Sequence, residues 1–370
     1  MEIILVDNKK DLNAFIELPY QLYADDPIWV PPLRSEQKNQ FIPEKNPMLE
    51  HCQYQLFLLK EDNLVIGRIA AFIDTLALQA WKEPVGLFGS FECVNNPDGA
   101  RFLLQAAQDW LSKQKMKKIR GPWSFSSQEW GLVYEGFTPQ PVILAPYNPP
   151  YYNNFLTSFG FAKVKDLLVY IIDANEGYKI PARYLEMTDK IQKRYGVQVR
   201  QVNMNNLEHD VMTIMNLANQ SISDNWGFYP VTEAESRAMA RDLKQIVNPA
   251  AVLIAEDREG KPIGFAISLP DINQLIKNFN GNLFPFNWIK LLMGRNKINQ
   301  YRMWALGVIP EYQGRAIDTL LYRQTYQALN KSNIRLEINY VLEDNVRMNN
   351  ALLKLGVKPL RRYRVYEMAL

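Results

Sequence analysis

The chain has only two cysteines and two histidines among 370 residues. Cys52 and Cys93 are too few for a disulfide framework, and neither they nor His51 and His209 show metal-site spacing, so no metal is expected. No apolar run reaches the ~20 residues that a bilayer-spanning helix needs. The opening MEIILVDNKKDL places a carboxylate at Glu2 and an apolar stretch too short for a secretory signal, so a cytoplasmic location is expected. Net charge is scarce too, at +3, whereas a dedicated nucleic-acid binder carries a strongly basic domain. The basic runs 115–120 and 361–364 therefore read as solvated faces. What is present is apolar and aromatic: 47% hydrophobic and 12% aromatic residues exclude disorder. The length exceeds what one core usually supports, so two domains are expected.

Residues 54–74, YQLFLLKEDNLVIGRIAAFID, read as two strands turning at Glu61-Asp62-Asn63. PVGLFGSFECV is a further strand. ARFLLQAAQDWLSKQK has helical spacing, with Phe102, Leu103, Ala106, Trp110 and Leu111 on one side. Residues 142–173 then give strand, helix and strand. The second half repeats the order, with a strand pair over 250–270, a strand over 301–309, a helix over 316–333, a strand over 334–341, a helix over 345–356 and a last strand. The helix pair over 208–222 and 233–247 precedes these. The plainest internal echo is YYNNFLTSFG beside RMNNALLKLG, where an Asn-Asn pair is followed after five residues by Gly. Two copies of one α/β unit are expected, 1–177 and 178–370, the second opening on a linking helix over 182–196. Residues 271–300 fit neither copy. They are amphipathic and read as a packed excursion over a sheet edge or domain interface, with a lid over a cleft and membrane contact as alternatives.

The stretch VIPEYQGRAIDTLLY (308–322) joins a strand end to a helix start. Backbone amides at such a turn point outward, and the helix start carries roughly half a positive charge, so the geometry attracts a diphosphate. Here the sequence resembles the GNAT superfamily of acyl-CoA-dependent N-acyltransferases, whose signature is Gln/Arg-x-x-Gly-x-Gly/Ala, usually after Val-x-Pro. Gln313, Ala316 and Asp318 take the defining positions, and Val308 and Pro310 match the preceding ones. Asn345 and Gly356 keep the superfamily's Asn-to-Gly spacing of eleven. The resemblance covers residues 195–370; over 1–175 it is topological only, because VNNPDGARF carries no phosphate signature.

The resemblance implies two tandem GNAT-like domains of α/β (α+β) class, the first degenerate, each a mixed, mostly antiparallel twisted sheet flanked by helices. It implies an N-acyltransferase using acetyl-CoA or another acyl-CoA, acting on a small-molecule or peptide amine, with no nucleic acid and no membrane as partner. The cofactor-binding residues it implies are Leu306, Gly307, Val308, Gln313, Gly314, Arg315, Ala316, Ile317, Asp318, Thr319 and Asn345, with a backbone amide at Gly307 or Val308 as oxyanion donor. Ala316 in place of Gly is expected to be mild on a helical backbone. Asp318 has two orientations open to it. Facing a diphosphate it would cost around 3 kcal/mol at an effective dielectric of ~20; turned to the first-turn amides it stabilises the helix, with Arg315 close enough to offset its charge.

Acyl transfer from a thioester needs a base for the amine proton and donors for the developing oxyanion. Glu337 in IRLEINYV, flanked by apolar residues, is the candidate base, with Glu343 less well placed; an apolar setting disposes a carboxylate to accept a proton near neutral pH. The family's general-acid Tyr falls on Leu352, so Tyr340 or Tyr322 would have to substitute. Asn225, Trp226, Phe228 and Tyr229 occupy the helix-helix turn that lines the amine site in the resembling family. A catalytically silent binding module and a tandem aminoacyltransferase fed by charged tRNA are the alternatives.

Overall fold

The computed structural model describes residues 1–125, 129–244, 246–329 and 333–370. Positions 245 and 330–332 of the expected helices lie outside them. The strands, in chain order, are β1 (Glu2–Leu5), β2 (Cys52–Glu61), β3 (Leu64–Asp74), β4 (Val85–Cys93), β5 (Lys118–Gly121), β6 (Leu132–Glu135), β7 (Ala162–Asp173), β8 (Gln198–Gln201), β9 (Val252–Glu256), β10 (Pro262–Pro270), β11 (Gln300–Val308), β12 (Arg335–Leu342) and β13 (Lys358–Ala369). Two compact units result. Unit 1 is Met1–Leu167, Leu275–Leu292 and Arg361–Leu370; unit 2 is Leu168–Gln274 and Met293–Leu360.

In unit 1 the sheet order is β1-β2-β3-β4-β5-β13, with β6 also on β13, and β4–β5 is the parallel pair. The β2–β3 turn falls at Asp62 and Asn63, both at positive φ (48° and 66°), which is the twist a tight hairpin requires. Helix Pro97–Lys113 buries Ala100, Leu103, Leu104, Ala107 and Leu111 against Leu59, Ile69 and Phe88. This face is rotated from the expected one: Phe102 is 42% exposed, while Ala106 and Trp110 are half-buried at its margin. The strand expected near 142–145 is not formed. His51 and Cys52 meet Asp74 across the β2–β3 ladder, their donor atoms within 4.8 Å. Sequence spacing hid this trio because Asp74 is far along the chain. Its Oδ1 accepts from the amides of Leu76 (2.9 Å) and Ala77 (3.1 Å) and lies 3.0 Å from His51 Nδ1, which makes the group a helix cap.

In unit 2 the order is β7-β12-β11-β10-β9-β8, with β11–β12 parallel. Helices Leu207–Ser221 and Glu233–Lys244 pack on one face of its sheet. The second begins in a capping box: Thr232 N–H donates to Glu235 Oε2 at 2.7 Å, and Glu235 N–H to Thr232 Oγ1 at 3.2 Å.

The unit boundaries differ from 1–177 and 178–370 in an instructive way. Each sequence copy ends in a strand, and each unit holds part of the other copy's last strand. In unit 1, β13 pairs with β5 (Tyr366↔Gly121), and Tyr366 OH donates to Asn153 Oδ1 at 2.8 Å. In unit 2, Tyr170 of β7 donates to Asn349 Oδ1 at 2.9 Å. The two asparagines also use their Nδ2 alike, on Val133 O (2.9 Å) and Leu342 O (3.0 Å). The Asn-Asn echo thus marks equivalent buried anchors, each satisfied by a tyrosine from the other repeat.

Residues Leu275–Leu292 belong to unit 1. Ile276 and Phe279 are buried with Val30, and Leu283 and Leu291 pack against them. The segment packs on one side only, and Phe284, Phe286, Trp288, Ile289, Leu292 and Met293 stay exposed.

Candidate active site

Strands β11 and β12 pair over four residues only, from Gln300↔Arg335 to Met303↔Ile338, although both run on for several more. Beyond Met303 the two parallel strands part. On its other edge β11 stays paired with β10, as Ala266↔Leu306, Phe265↔Gly307 and Gly264↔Val308. Ile309 N–H donates to Ile263 O at 3.0 Å. Antiparallel hydrogen bonding alternates, so Ile309 and Gly307 point their amides at β10, while Leu306 and Val308 point theirs toward the opening. The donor left without a strand partner at the splay is therefore Val308 N–H, with Leu306 N–H beside it, rather than that of Gly307. Val308 C=O points the same way and accepts from Gln313 Nε2 at 2.9 Å, which ties the loop to the strand. Gly307 is needed for a different reason: a Cβ there would lie 2.1 Å from Ser221 Oγ and 2.8 Å from the Phe265 ring.

The loop after β11 makes one 3-10 turn, Pro310–Tyr312, and enters helix Asp318–Leu329. Among the described residues, no hydrogen bond is donated by the backbone amides of Gly314, Arg315, Ala316 or Ile317. Gly314 (φ +80°) and Ala316 (φ +59°) bend this run into a concave turn. The mildness expected for Ala316 does not hold: its backbone is left-handed, which costs an alanine roughly 1–2 kcal/mol. Asp318 opens the helix with its carboxyl beside the amides of Asp318 and Thr319, and Thr319 N–H donates to Ala316 O at 3.1 Å. Burial raises its pKa, while the charge of Arg347 and the two amides pull it down. The offsetting cation is thus Arg347 and not Arg315, whose guanidinium lies over the rings of Tyr312 (4.7 Å) and Tyr195 (5.7 Å). Thr319 Oγ1 donates to Ala316 O at 2.5 Å.

A buried polar row crosses the middle of the unit 2 sheet. Arg302 of β11 and Glu337 of β12 are register partners, both wholly inaccessible, so their side chains share a face. Gln300 and Asn339, two positions along on each strand, join them: Gln300 Nε2 donates to Glu337 Oε1 at 3.2 Å, and Arg302 Nε to Asn339 Oδ1 at 2.5 Å. Leu269 pairs with Arg302 from the other side and also lines an apolar cavity of about 40 Å³ with Ile267, Trp304, Ile214 and Met215. Sequence reasoning found Glu337 but missed Gln300, Arg302, Asn339 and Ser221. The available signal was the polar residue at every second position of NQYRMW in a strand otherwise buried.

Other expected residues fall as follows. Tyr340 is half-buried on β12, with the Arg302 guanidinium 5.1 Å from its ring centre. Glu343 follows the end of β12. Tyr322 is half-buried, its hydroxyl donating to Met348 Sδ at 3.0 Å and its pKa driven up by desolvation of that hydroxyl. Leu352 is a core residue. Asn345 caps helix Val346–Lys354 through Met348 N–H at 3.1 Å. Asn225, Trp226, Phe228 and Tyr229 form the loop after helix Leu207–Ser221, closed by Phe228 N–H donating to Asn225 O at 3.1 Å, with Tyr229 buried.

No family model matches the chain. Among curated proteins it is 35% identical to Protein YghO of Escherichia coli strain K12, over 97% of this chain and 93% of that one. It is 34% identical to the bacterial ceramide synthase of Caulobacter vibrioides, over 100% and 98%. The chain belongs to the family of these two proteins. Its fold is that of tandem GNAT proteins: one from the clavulanic acid biosynthesis pathway superposes at a TM-score of 0.59 and 13% identity, over 100% of this chain and 98% of the other.

In this chain the two units treat the same turn differently. Helix Pro97–Lys113 of unit 1 is capped by Asn96, whose side chain accepts from Gly99 N–H at 3.0 Å. The corresponding turn of unit 2 leaves four amides free. Asp318 is the only acid in the segment 312–336, which makes it the natural point for a charge test. Its folded pKa lies above the unfolded value, so ionising it costs stability; the cost is absent below the unfolded value of 3.8 and grows as pH rises through the folded one. Asp318→Asn, which keeps an oxygen for the amides, is expected to melt higher than the parent at pH 7. Melting curves in series should show the difference vanishing in acid.

Proposed function

We propose that unit 2 transfers an acyl group from acyl-CoA to the primary amine of a long-chain lipid base. The observation that carries this reading is the parting of β11 from β12 beside four undonated amides. A slot between parallel strands exposes Val308 N–H to a thioester carbonyl, and the Gly314 to Ile317 amides offer a cradle for the CoA diphosphate. Leu306 and Gly307 form the wall of the slot; Gln313, Arg315, Asp318, Thr319 and Asn345 hold the loop and the helix starts in place.

In the proposed reaction the amine nitrogen attacks the thioester carbonyl carbon. The developing oxyanion takes hydrogen bonds from Val308 N–H and Leu306 N–H, and the amine proton passes through water to Glu337, which is buried behind the slot. The C–S bond then breaks, and the thiolate takes a proton from Tyr340 or from water. Asn225, Trp226, Phe228 and Tyr229 are assigned to the acceptor. Ceramide is a fatty amide of a long-chain amino alcohol, so the name of the Caulobacter relative supports a lipid amine over a peptide, and a long acyl group over acetyl.

The test is to incubate the protein with palmitoyl-CoA or acetyl-CoA and sphinganine, following free thiol and, by mass spectrometry, the amide. Amide and thiol in equal amounts, faster from palmitoyl-CoA, are expected. Absence of thiol release from a folded, CoA-binding protein would instead support a silent binding module, the reading favoured by Leu352 at the usual general-acid position.

A further inference from the structure

Residues 284–293 present an apolar face to solvent. Phe284 is 74% exposed, Phe286 70%, Met293 75% and Leu292 52%, with Trp288 at 41% and Ile289 at 40%. Single exposed apolar side chains are ordinary, but six within ten residues make a patch, and such patches mark interaction sites. The patch is held rigidly from behind. Leu283 and Leu291 pack against Val30, Ile276 and Phe279. Arg34 N–H donates to Gly281 O at 2.9 Å and the Arg34 guanidinium to Asn280 O, while Lys277 Nζ donates to Gln140 Oε1 at 2.8 Å. Within the segment, Asn287 Nδ2 donates to Asn282 O at 2.8 Å and the Trp288 indole to Pro285 O at 2.9 Å.

Charge distinguishes among possible occupants. Residues 272–300 contain four basic side chains, Lys277, Lys290, Arg295 and Lys297, and no acidic one. Lys290, Arg295 and Lys297 are exposed and lie within or directly after the apolar helix. A second copy docking by two-fold symmetry would bring the same cations against each other. An anionic bilayer surface satisfies both features, since aromatic and aliphatic side chains sit at headgroup depth while lysine and arginine meet phosphate.

We propose that residues 284–297 dock the protein on anionic phospholipid membranes, with Phe284, Phe286, Trp288, Leu292 and Met293 inserted at the headgroup boundary. Membrane contact is one of the readings that the sequence leaves open for this segment. It stands apart from the acyl-transfer reading and is tested without it.

The full chain is spun with vesicles of phosphatidylcholine alone or mixed with phosphatidylglycerol. Sedimentation with the mixed vesicles is expected, weaker with phosphatidylcholine and weaker at high salt. The Phe284→Ser/Phe286→Ser variant is expected to partition at least about tenfold less, with an unchanged melting temperature because both side chains are already in water. Leu292→Lys gives the same reading should the first variant misfold. Lys290→Gln/Arg295→Gln/Lys297→Gln should abolish the preference for the anionic vesicles. Failure of the parent protein to sediment with either vesicle, or sedimentation indifferent to these changes, overturns the proposal. So does a dimer that the same substitutions dissolve without any vesicle binding.

Discussion

Glu337→Gln is expected to lower kcat for amide formation by ~10²–10⁴-fold while changing the affinity for CoA by no more than a few-fold. The substitution is nearly isosteric, and a glutamine oxygen can still accept from Gln300 Nε2, which lies 3.2 Å from the present carboxylate. What it removes is the capacity to hold a proton taken from the amine. A purely structural glutamate would give a different pattern, with a lowered melting temperature and kcat and KM moving together. Steady-state kinetics alongside a thermal melt separates the two, and an unimpaired kcat would place the base elsewhere.

Arg302→Ala is expected to destabilise unit 2 by about 3–5 kcal/mol, because it strips a buried carboxylate of the opposite charge on the neighbouring strand. Arg302 and Glu337 are both fully inaccessible, and Arg302 also donates to Asn339. For a unit of this size each kcal/mol moves the melting temperature by ~2–4 °C, so a fall on the order of 10 °C should be seen calorimetrically. The double change Arg302→Met/Glu337→Leu is expected to recover most of it, since a matched apolar pair leaves no lone buried charge. A single variant that melts with the parent would show that Glu337 does not depend on Arg302.

The two predictions also show where sequence was sufficient. Alternation and turn residues located β2, β3, β9, β10 and β11, and the Asn-Asn echo with its trailing glycine revealed the duplication, because these are local or self-similar signals. The reciprocal use of β7 and β13 was not legible. Hydrophobic alternation says that a segment is a strand but not which neighbour it will pair with, and the Tyr170–Asn349 and Tyr366–Asn153 bonds join residues some 180 and 213 positions apart. At the loop, the motif indicated where amides would converge. It could not reveal the left-handed backbone of Ala316, which depends on φ, or the Arg347 charge that acts on Asp318 from the next helix start. The exposed face of 284–293 was hidden for a related reason: periodicity shows which residues are apolar, and only packing shows which of them stay outside.

The cradle formed by the amides of Gly314 to Ile317 is the central claim, and calorimetric titration with CoA beside pantetheine addresses it most directly. The two ligands share the thiol arm, but only CoA carries the diphosphate. CoA is expected to bind at least about a hundredfold more tightly, since several charge-assisted amide contacts are lost with the diphosphate. Equal affinities, or no heat from either ligand with a folded protein, would contradict the account.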